Sequence, residues 1–150
     1  MSINSGEAAP DFELDADDGT RVKLSSLLGQ RVLIVFYPGD ETPVCTAQLC
    51  EYSEGLEEFT GLNCRVLAIS ADDLASHRAF RAKKSLGFPL LADTDLAVAK
   101  AYGVKGMLGM KRACFLVDEK GVVRYAHVES IALFRRRRAE LISALEAMAQ

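Results

Sequence analysis

Three segments of the chain are almost continuously apolar over the length of a strand, at residues 31–37, 65–69 and 113–117. Each is rich in β-branched, aliphatic or aromatic residues. A strand with one face in water would alternate apolar and polar residues, so unbroken runs predict strands that are buried on both faces of a sheet. The first run stops at Pro38-Gly39, which marks the end of its strand.

Shorter apolar stretches beside turn signals predict two hairpins. Residues 11–14 and 21–24 flank the turn Asp17-Asp18-Gly19, and residues 121–125 follow a turn at 118–121 directly after the third buried strand. Glycine in these turns supplies the backbone conformation that a tight reversal needs. We therefore expect an N-terminal β-hairpin and an antiparallel partner for the last buried strand.

Helical periodicity occupies the intervals between these strands. The helical segments lie at residues 43–59, 72–84, 95–102 and about 135–149. Gly103 is a natural stop for the third of them. Strands that alternate with helices, followed by a hairpin and a helix, predict an α/β fold with a mixed central β-sheet flanked by helices. No repeat or linker interrupts the pattern, so residues 1–150 are predicted to form a single domain.

Bulk composition narrows the functional classes. The 150 residues are 49% hydrophobic, enough for a core without disulfides, and the net charge of −3 provides no basic field for nucleic acid. The longest aliphatic and aromatic run, residues 32–37, is far too short to cross a membrane. Four cysteines without a visible export signal predict reduced thiols in the cytoplasm.

The segment after the first buried strand carries the strongest chemical signal. Thr42 followed by Pro43 predicts a helix start, with threonine as the N-cap and proline at the first helical position. Cys45 then falls in the first turn, where free backbone amides and the helix dipole favour negative charge and lower the pKa of a thiol. The end of a buried strand is also where open α/β sheets bind ligands. Cys45 is therefore the candidate nucleophile.

Ionisation alone does not make a thiol catalytic. A free thiol with a pKa of about 8.5 is roughly 3% ionised at pH 7, so full ionisation raises reactivity by no more than about 30-fold. The rest of a catalytic rate enhancement requires hydrogen-bond donors that hold the substrate and stabilise the leaving group. Arg112 is the candidate, because it directly precedes the strand at 113–117 and its guanidinium can extend from the sheet end. An ordinary solvated arginine is the open alternative.

The apolar stripe of the first helix predicts which way Cys45 faces. Cys45, Leu49, Tyr52, Leu56 and Phe59 follow one another at steps of four and three residues and share one helix face. Because that face packs on the sheet, Cys45 is predicted at its sheltered end. Without its place at the helix start, Cys45 would be interpreted as a small core residue.

Cys50 is the nearest second thiol, and helix geometry limits its reaction with Cys45. Five residues along an ideal helix separate the two Cα atoms by roughly 8.6 Å, whereas a disulfide needs less than about 7 Å. If the two form a disulfide, the first turns must unwind, and Gly55 is a weak point further along. An inert surface thiol is the alternative for Cys50, but so close a pair at a helix start favours redox chemistry.

These residues resemble the active-site segment of a known family. Residues 36–52, FYPGDETPVCTAQLCEY, are similar to that segment in peroxiredoxins, in particular in the bacterioferritin comigratory protein or PrxQ group. The pattern is a proline, a threonine, a peroxidatic cysteine three residues later and a resolving cysteine five further on. Similarity also lies in APDFELDADDGTRVKLSSLLGQRVLIVFYP, SHRAFRAKKSLGFPLLADTDLAVAKAYGV and RACFLVDEKGVVRY, and so covers nearly the whole chain.

The resemblance implies a thioredoxin-like fold and a role for each residue of the motif. It makes Cys45 the peroxidatic cysteine and Cys50 the resolving cysteine, which form an intramolecular disulfide during the cycle. It makes Thr42 a hydrogen-bond partner of peroxide and thiolate. Pro38 is expected to shield the site, and Arg112 to be the activating cation.

The resemblance also implies the substrates and partners. Hydrogen peroxide and organic hydroperoxides are the expected substrates, with thioredoxin or a related thiol as reductant, no cofactor or metal, and a monomeric protein. In two places the chain departs from the family pattern. Gln48 stands where the family commonly has a glutamate, and the loop at 103–110, predicted to be a flexible connector, is shorter than in many relatives.

Other interpretations of the chemical residues are weaker. Cys64 and Cys114 fall in or beside predicted strands, where inert packing is expected, and no Cys-x-x-Cys pair supports a zinc site or a thioredoxin-type disulfide reductase. A cysteine hydrolase needs a histidine base, but His77 and His127 are expected to have ordinary structural roles. The four arginines at 135–138 open the last predicted helix, where a solvated surface is expected rather than a polyanion site.

Overall fold

The computed structural model describes residues 3–107, 109–131 and 134–148, beginning with the predicted N-terminal hairpin. Strands β1 (Glu13–Asp15) and β2 (Arg21–Lys23) pair antiparallel, which confirms this hairpin. Leu24, predicted as the last residue of the second strand, instead begins a short 3-10 helix, Leu24–Leu27. Ala16 forms a β-bridge with Leu91, so the hairpin lies against the edge of the main sheet.

The described residues continue with seven further strands and five α-helices. The strands are β3 (Arg31–Phe36), β4 (Cys64–Ser70), β5 (Leu90–Ala92), β6 (Lys105–Gly106), β7 (Gly109–Met110), β8 (Ala113–Val117) and β9 (Val123–Val128). The helices are α1 (Pro43–Glu54), α2 (Leu56–Gly61), α3 (Leu74–Lys84), α4 (Ala97–Ala101) and α5 (Arg138–Met148). None of these helices is long and apolar enough to span a bilayer.

The central sheet is mixed, as the sequence predicts. Within the described ranges, five strands form it in the order β5-β4-β3-β8-β9. Strands β3, β4 and β5 are parallel, whereas β8 runs antiparallel to β3, and β9 antiparallel to β8. Leu33, Ile34 and Val35 in the middle of β3 are fully buried, which explains why this strand carries no alternating polar residues.

Two apolar layers cover the faces of the sheet. Leu33 and Val35 of β3 point into a layer that contains Leu49 of α1, Phe80 of α3 and Leu141 of α5. The intervening β3 residues Ile34 and Phe36 point into the opposite layer, which α4 and the N-terminal hairpin cover. Because side chains alternate across a strand, β3 contributes to both layers and holds them together.

Several predicted boundaries differ from those of the structure. The helix expected over 43–59 is two helices, α1 and α2, which meet at Gly55 (φ −104°, ψ 23°). The last helix begins at Arg138 rather than Arg135, and residue 149 of its predicted span lies outside the described residues. The final strand runs to Val128 instead of residue 125, so His127 lies within it.

The segment expected as a flexible connector contains two short strands among its described residues. Residues 103–110 contain β6 and β7, which pair antiparallel with Gly106 opposite Gly109. Strand β5 was also not predicted, because its three residues are too few to show a period. The predicted stop at Gly103 is confirmed: this glycine adopts φ +73° directly after the end of α4.

Candidate active site

The first helix begins where the sequence places it. Thr42 is the N-cap with extended backbone (φ −79°, ψ 149°), and Pro43 takes the first helical position. Cys45 lies in the first turn and its side chain is fully buried. It belongs to the same apolar layer as Leu49 and Tyr52, so the predicted stripe of this helix does face the sheet.

The hydroxyl of Thr42 does not cap the helix, contrary to the prediction. Instead of accepting from a first-turn amide, Thr42 Oγ1 donates a hydrogen bond to the carbonyl oxygen of Gly39 at 2.9 Å. The tight loop before the helix brings that carbonyl within reach. The hydroxyl therefore ties the helix start to the loop, and the Thr42 side chain leaves the first-turn amides to other acceptors.

Sheet register places Arg112 at the end of the sheet where β3 leads into the loop before α1. Phe36 at the end of β3 pairs with Ala113 at the start of β8, so Arg112 lies beside the chain that leaves β3 towards Pro38. Pro38 and Arg112 line one open cleft of about 610 Å³, to which Met107 and Met110 also contribute. Arg112 is nonetheless only 3% exposed, which separates it from an ordinary solvated arginine.

A buried amide links Arg112 to the cysteine helix. Arg112 Nη1 donates to Gln48 Oε1 at 2.7 Å, and Gln48 lies three residues after Cys45 on α1. Gln48 Nε2 donates to the hydroxyl of Tyr52 at 3.1 Å, and that hydroxyl donates to the backbone oxygen of Arg136. Gln48 thus joins the guanidinium to the helix that carries Cys45. The sequence marks Gln48 only as a departure from the family glutamate.

The four cysteines are all free thiols, in different surroundings. Cys50 is partly buried, and it lies with Cys45 on one unbroken helix, so the two thiols are in the separated state that helix geometry predicts. Cys64 and Cys114 are buried in β4 and β8, as predicted. Burial raises the pKa of both these thiols to about 12, which suits packing rather than reaction.

The loop before Thr42 is anchored by a buried network that sequence analysis missed. Asp40 Oδ2 contacts His77 Nδ1 at 2.8 Å and accepts from Ser76 Oγ at 2.8 Å, while its Oδ1 accepts from the Tyr37 hydroxyl at 2.6 Å. Burial opposes ionisation of Asp40, but the hydrogen bonds from His77, Tyr37 and Ser76 outweigh it and lower the pKa. The other nitrogen of His77 lies 3.0 Å from the Leu91 carbonyl oxygen. His77 is therefore engaged in the loop anchor rather than placed as a base for Cys45.

The same network holds a group of possible metal ligands. In the described part of the chain, Asp40, Asp72 and His77 bring ligand atoms within 4.8 Å of one another. Asp72 Oδ2 already accepts from the Asp40 amide at 2.8 Å and from Ser70 Oγ at 2.7 Å. The donors therefore fit an internally hydrogen-bonded anchor for the loop, and none of the four cysteines belongs to the group.

The arginines at 135–138 are engaged by carboxylates of the same chain. Arg135 and Arg137 contact Glu51, and Arg136 pairs with Glu129 at 2.9 Å. The expectation of a solvated helix surface is met only in part, because α5 begins at Arg138 and Arg135 and Arg136 are partly buried, whereas Arg137 is 62% exposed. This run therefore does not form a simple polyanion surface.

A buried cysteine in the first turn of a helix that follows a strand of a thioredoxin-like mixed sheet, with a buried arginine bonded to the same helix through Gln48, resembles a peroxiredoxin site. Residues 5–126 match the AhpC/TSA family. The chain belongs to this family of peroxiredoxins.

Individual relatives agree with this assignment. Peroxiredoxin Q, chloroplastic, of rice (Oryza sativa subsp. japonica) is 41% identical over 83% of this chain, although the match spans only 59% of the rice protein's length. The putative peroxiredoxin bcp of Coxiella burnetii is 38% identical over 82% of this chain and 87% of its own. The bacterioferritin comigratory protein of Xanthomonas campestris, described for its alkyl peroxide reduction activity, has a structure that superposes with a TM-score of 0.86 at 30% identity, over 93% of this chain and 92% of its own.

Proposed function

We propose that the protein is a thiol peroxidase that reduces hydrogen peroxide and organic hydroperoxides with Cys45 as its nucleophile. The observation that carries this proposal is the placement of buried Cys45 in the first turn of α1, with buried Arg112 bonded to the same helix through Gln48. The Xanthomonas campestris relative, described for alkyl peroxide reduction, supports the substrate class.

In the first step, the Cys45 thiolate attacks one peroxide oxygen and the O–O bond breaks. The sulfur becomes a sulfenic acid, and the second oxygen leaves as water or an alcohol after taking a proton. Negative charge moves from sulfur to the leaving oxygen. The Arg112 guanidinium, held by Gln48, stabilises that charge with donors in a fixed geometry.

The loop residues position the peroxide. Because the Thr42 hydroxyl donates to the Gly39 carbonyl, its oxygen is oriented to accept a hydrogen bond from the peroxide O–H. Pro38 lines the cleft shared with Arg112, and its proposed role is to limit the approach of water to the sulfur. Thr42 and Pro38 therefore orient and shelter the substrate and take no part in the covalent chemistry.

In the second step, Cys50 resolves the sulfenic acid. The Cys50 sulfur attacks the Cys45 sulfur, and the hydroxyl leaves as water while the intramolecular disulfide forms. Both cysteines lie on an intact α1, so part of this helix unwinds before the bond can form. Thioredoxin or a related dithiol then restores the two thiols by exchange.

The compartment and the oligomeric state complete the proposal. The cycle consumes a thiol reductant at every turnover, and the cytoplasm supplies such reductants. Every side chain given a role comes from this chain, so a monomer suffices for the reaction. Cytoplasmic, monomeric action is therefore the simplest form of the proposed activity.

The direct test is peroxide consumption by the purified protein with thioredoxin, thioredoxin reductase and NADPH. We expect turnover with hydrogen peroxide and with cumene hydroperoxide, and none for Cys45→Ser. Cys50→Ser should fail with thioredoxin but support a single oxidation of Cys45. Turnover that persists in Cys45→Ser would overturn the proposal.

A further inference from the structure

The segment 135–138 holds α1 immediately after Cys50. Glu51 Oε1 is 2.9 Å from Arg137 Nε and 3.4 Å from Arg135 Nη2, and Glu51 Oε2 accepts from the backbone amide of Arg138 at 2.7 Å. These contacts of Glu51, Arg135, Arg137 and Arg138 are called the Glu51 clamp below. The clamp joins the residue next to Cys50 to the start of α5.

Three further contacts fasten the same stretch of helix. Arg138 Nη1 donates at 2.8 Å to the Glu51 carbonyl oxygen, which also accepts from the Gly55 amide at 3.3 Å. The Arg138 side chain also fills the space beside Gly55, where an added Cβ would lie 2.2 Å from its Cδ atom. The Tyr52 hydroxyl donates to the Arg136 carbonyl oxygen. The second half of α1 is therefore held through side chain and backbone together.

Glu51 is the centre of the clamp by burial and charge. Its side chain is 17% exposed, against 62% for Arg137. Burial opposes ionisation, but the Arg138 amide and the arginine side chains outweigh it and lower the pKa of Glu51. A charged carboxylate with these partners cannot move outward with the helix backbone without breaking charge-assisted hydrogen bonds.

We propose that Glu51 is a positioning residue that controls the rate of disulfide formation. The Glu51 clamp holds α1 in its helical form and so opposes the unwinding that brings Cys50 to Cys45. This inference rests on the proposed peroxidase function. The oxidised enzyme has two outcomes. The Cys45 sulfenic acid loses water to the Cys50 thiol and gives a disulfide, or it takes an oxygen from a second peroxide, which is reduced to water or alcohol, and gives a sulfinic acid. A tight clamp slows the first outcome and so favours the second.

The test measures how Cys45 divides between these two products. Wild type, Glu51→Gln and Arg137→Gln are oxidised over a range of hydrogen peroxide concentrations, and disulfide and sulfinic acid are quantified by peptide mass spectrometry. We expect half-inactivation to need about threefold more peroxide in Glu51→Gln, the size that a partly exposed ion pair supports. The rate of the first oxidation of Cys45 should stay unchanged, which a general loss of structure would not permit.

The two variants separate a clamp from a simple charge effect. Glu51→Gln removes a negative charge near Cys50, whereas Arg137→Gln removes a positive one, so an effect of the local field would shift the product ratio in opposite directions. The clamp predicts the same direction in both. Because Arg137 is 62% exposed, its replacement also keeps the test valid if Glu51→Gln does not fold.

Glu140→Gln is the matched control. Glu140 pairs with Arg136 at 2.8 Å in the same arginine segment, but its carboxylate contacts Arg136 and the backbone amide of Arg137, just before α5, rather than α1. We expect its product ratio to equal that of wild type. An unchanged ratio in Arg137→Gln, or opposite shifts in the two clamp variants, would overturn the clamp. If Cys45 is not oxidised in any of the proteins, the proposed peroxidase function itself has failed.

Discussion

At the scale of single residues, burial alone does not distinguish the reactive thiol from the inert ones. Cys45 and Cys114 lie in the same apolar layer, and both are at most 1% exposed. Cys114 lies inside a strand, whereas Cys45 lies in a first helical turn, where backbone amides point outward without helical partners. The difference in expected chemistry comes from the backbone around each sulfur.

The raised pKa values of Cys64 and Cys114 predict selective alkylation. Burial holds both pKa values at about 12, so at pH 9 their thiols stay protonated in the folded protein, whereas thiols of ordinary pKa near 8.5 are mostly ionised. We expect iodoacetamide to leave these two cysteines unmodified in the native protein and to modify all four in urea. Native labelling of Cys64 at the rate of Cys50 would contradict this.

Gln48 offers a sharper test of how Arg112 is held. Gln48→Leu removes one acceptor of the buried Arg112 guanidinium, and a hydrogen bond to a charged group is worth about 1.5 to 3 kcal/mol, so we expect at least about a tenfold slower oxidation of Cys45. Gln48→Glu keeps an acceptor for Arg112 and loses the donations of Nε2 to the Tyr52 hydroxyl and to Cys114 Sγ. Stopped-flow oxidation by hydrogen peroxide should therefore show a much smaller defect in Gln48→Glu, and equal defects would be inconsistent with the role of this bond.

The residues of the motif could be predicted from sequence, but their partners could not. Cys45 is marked by local signals, because Thr42 and Pro43 determine the helix start within three residues. The contact between Asp40 and His77 joins residues 37 apart, and its geometry depends on how α3 packs on the sheet. No local pattern carries that information.

At the scale of elements, the apolar stripe of α1 continues past the point where the helix ends. Leu56 and Phe59 follow the periodicity that begins at Cys45, which is why one helix over 43–59 was predicted. Both α1 and α2 pack on the same apolar layer, so the period survives the break at Gly55. Periodicity reports which face is buried and does not by itself locate a break between two helices on one surface.

Two helix starts whose N-cap side chains are both able to cap differ in what those side chains do. Asp73 Oδ1 accepts from the Ser76 amide at 2.9 Å, whereas the Thr42 hydroxyl donates to Gly39. We expect Asp73→Ala to lower the free energy of unfolding by about 1 kcal/mol, as loss of an N-cap usually does, and Thr42→Ala to lower it less. Peroxidase activity should show the reverse order.

Urea unfolding and turnover assays on Asp73→Ala and Thr42→Ala test whether each side chain serves stability or activity. Asp73→Asn keeps the cap and serves as the control, with stability close to wild type. A larger stability loss in Thr42→Ala than in Asp73→Ala would mean that Thr42 acts mainly as a structural cap.

At the scale of the whole molecule, strand register brings distant segments to one site. Residues 36 and 113 are paired across β3 and β8, and this pairing carries Arg112 to the loop before α1. The mixed sheet itself could be predicted, because its buried strands are continuous apolar runs. Strand β5 could not, because its three residues are recognisable only through their pairing with β4.

The loop anchor at Asp40 predicts a stability that depends on acid. The folded-state pKa of Asp40 is lowered, so its carboxylate contributes stability above its unfolded pKa of about 3.9, and this contribution is lost as pH falls through the folded value. We expect Asp40→Asn to be less stable than wild type by about 1 to 3 kcal/mol at pH 7. The hydroxyls of Tyr37 and Ser76 and the ring of His77 would each lose their charged partner. The gap should narrow below pH 4 in chemical denaturation. A gap that stays constant from pH 7 to pH 3 would exclude a charged Asp40 as its cause.

The most direct test of the proposed Cys45 and Cys50 cycle is peptide mapping of all four thiols after one equivalent of hydrogen peroxide. The mapping compares wild type with Cys50→Ser. Sulfenic acid at Cys45 and a bond from Cys45 to Cys50 are the two species that the proposed cycle requires. We predict a Cys45–Cys50 disulfide in wild type and an oxidised, unbridged Cys45 in Cys50→Ser. A Cys45 that stays reduced, or that bonds to Cys64 or Cys114, would contradict the proposed chemistry.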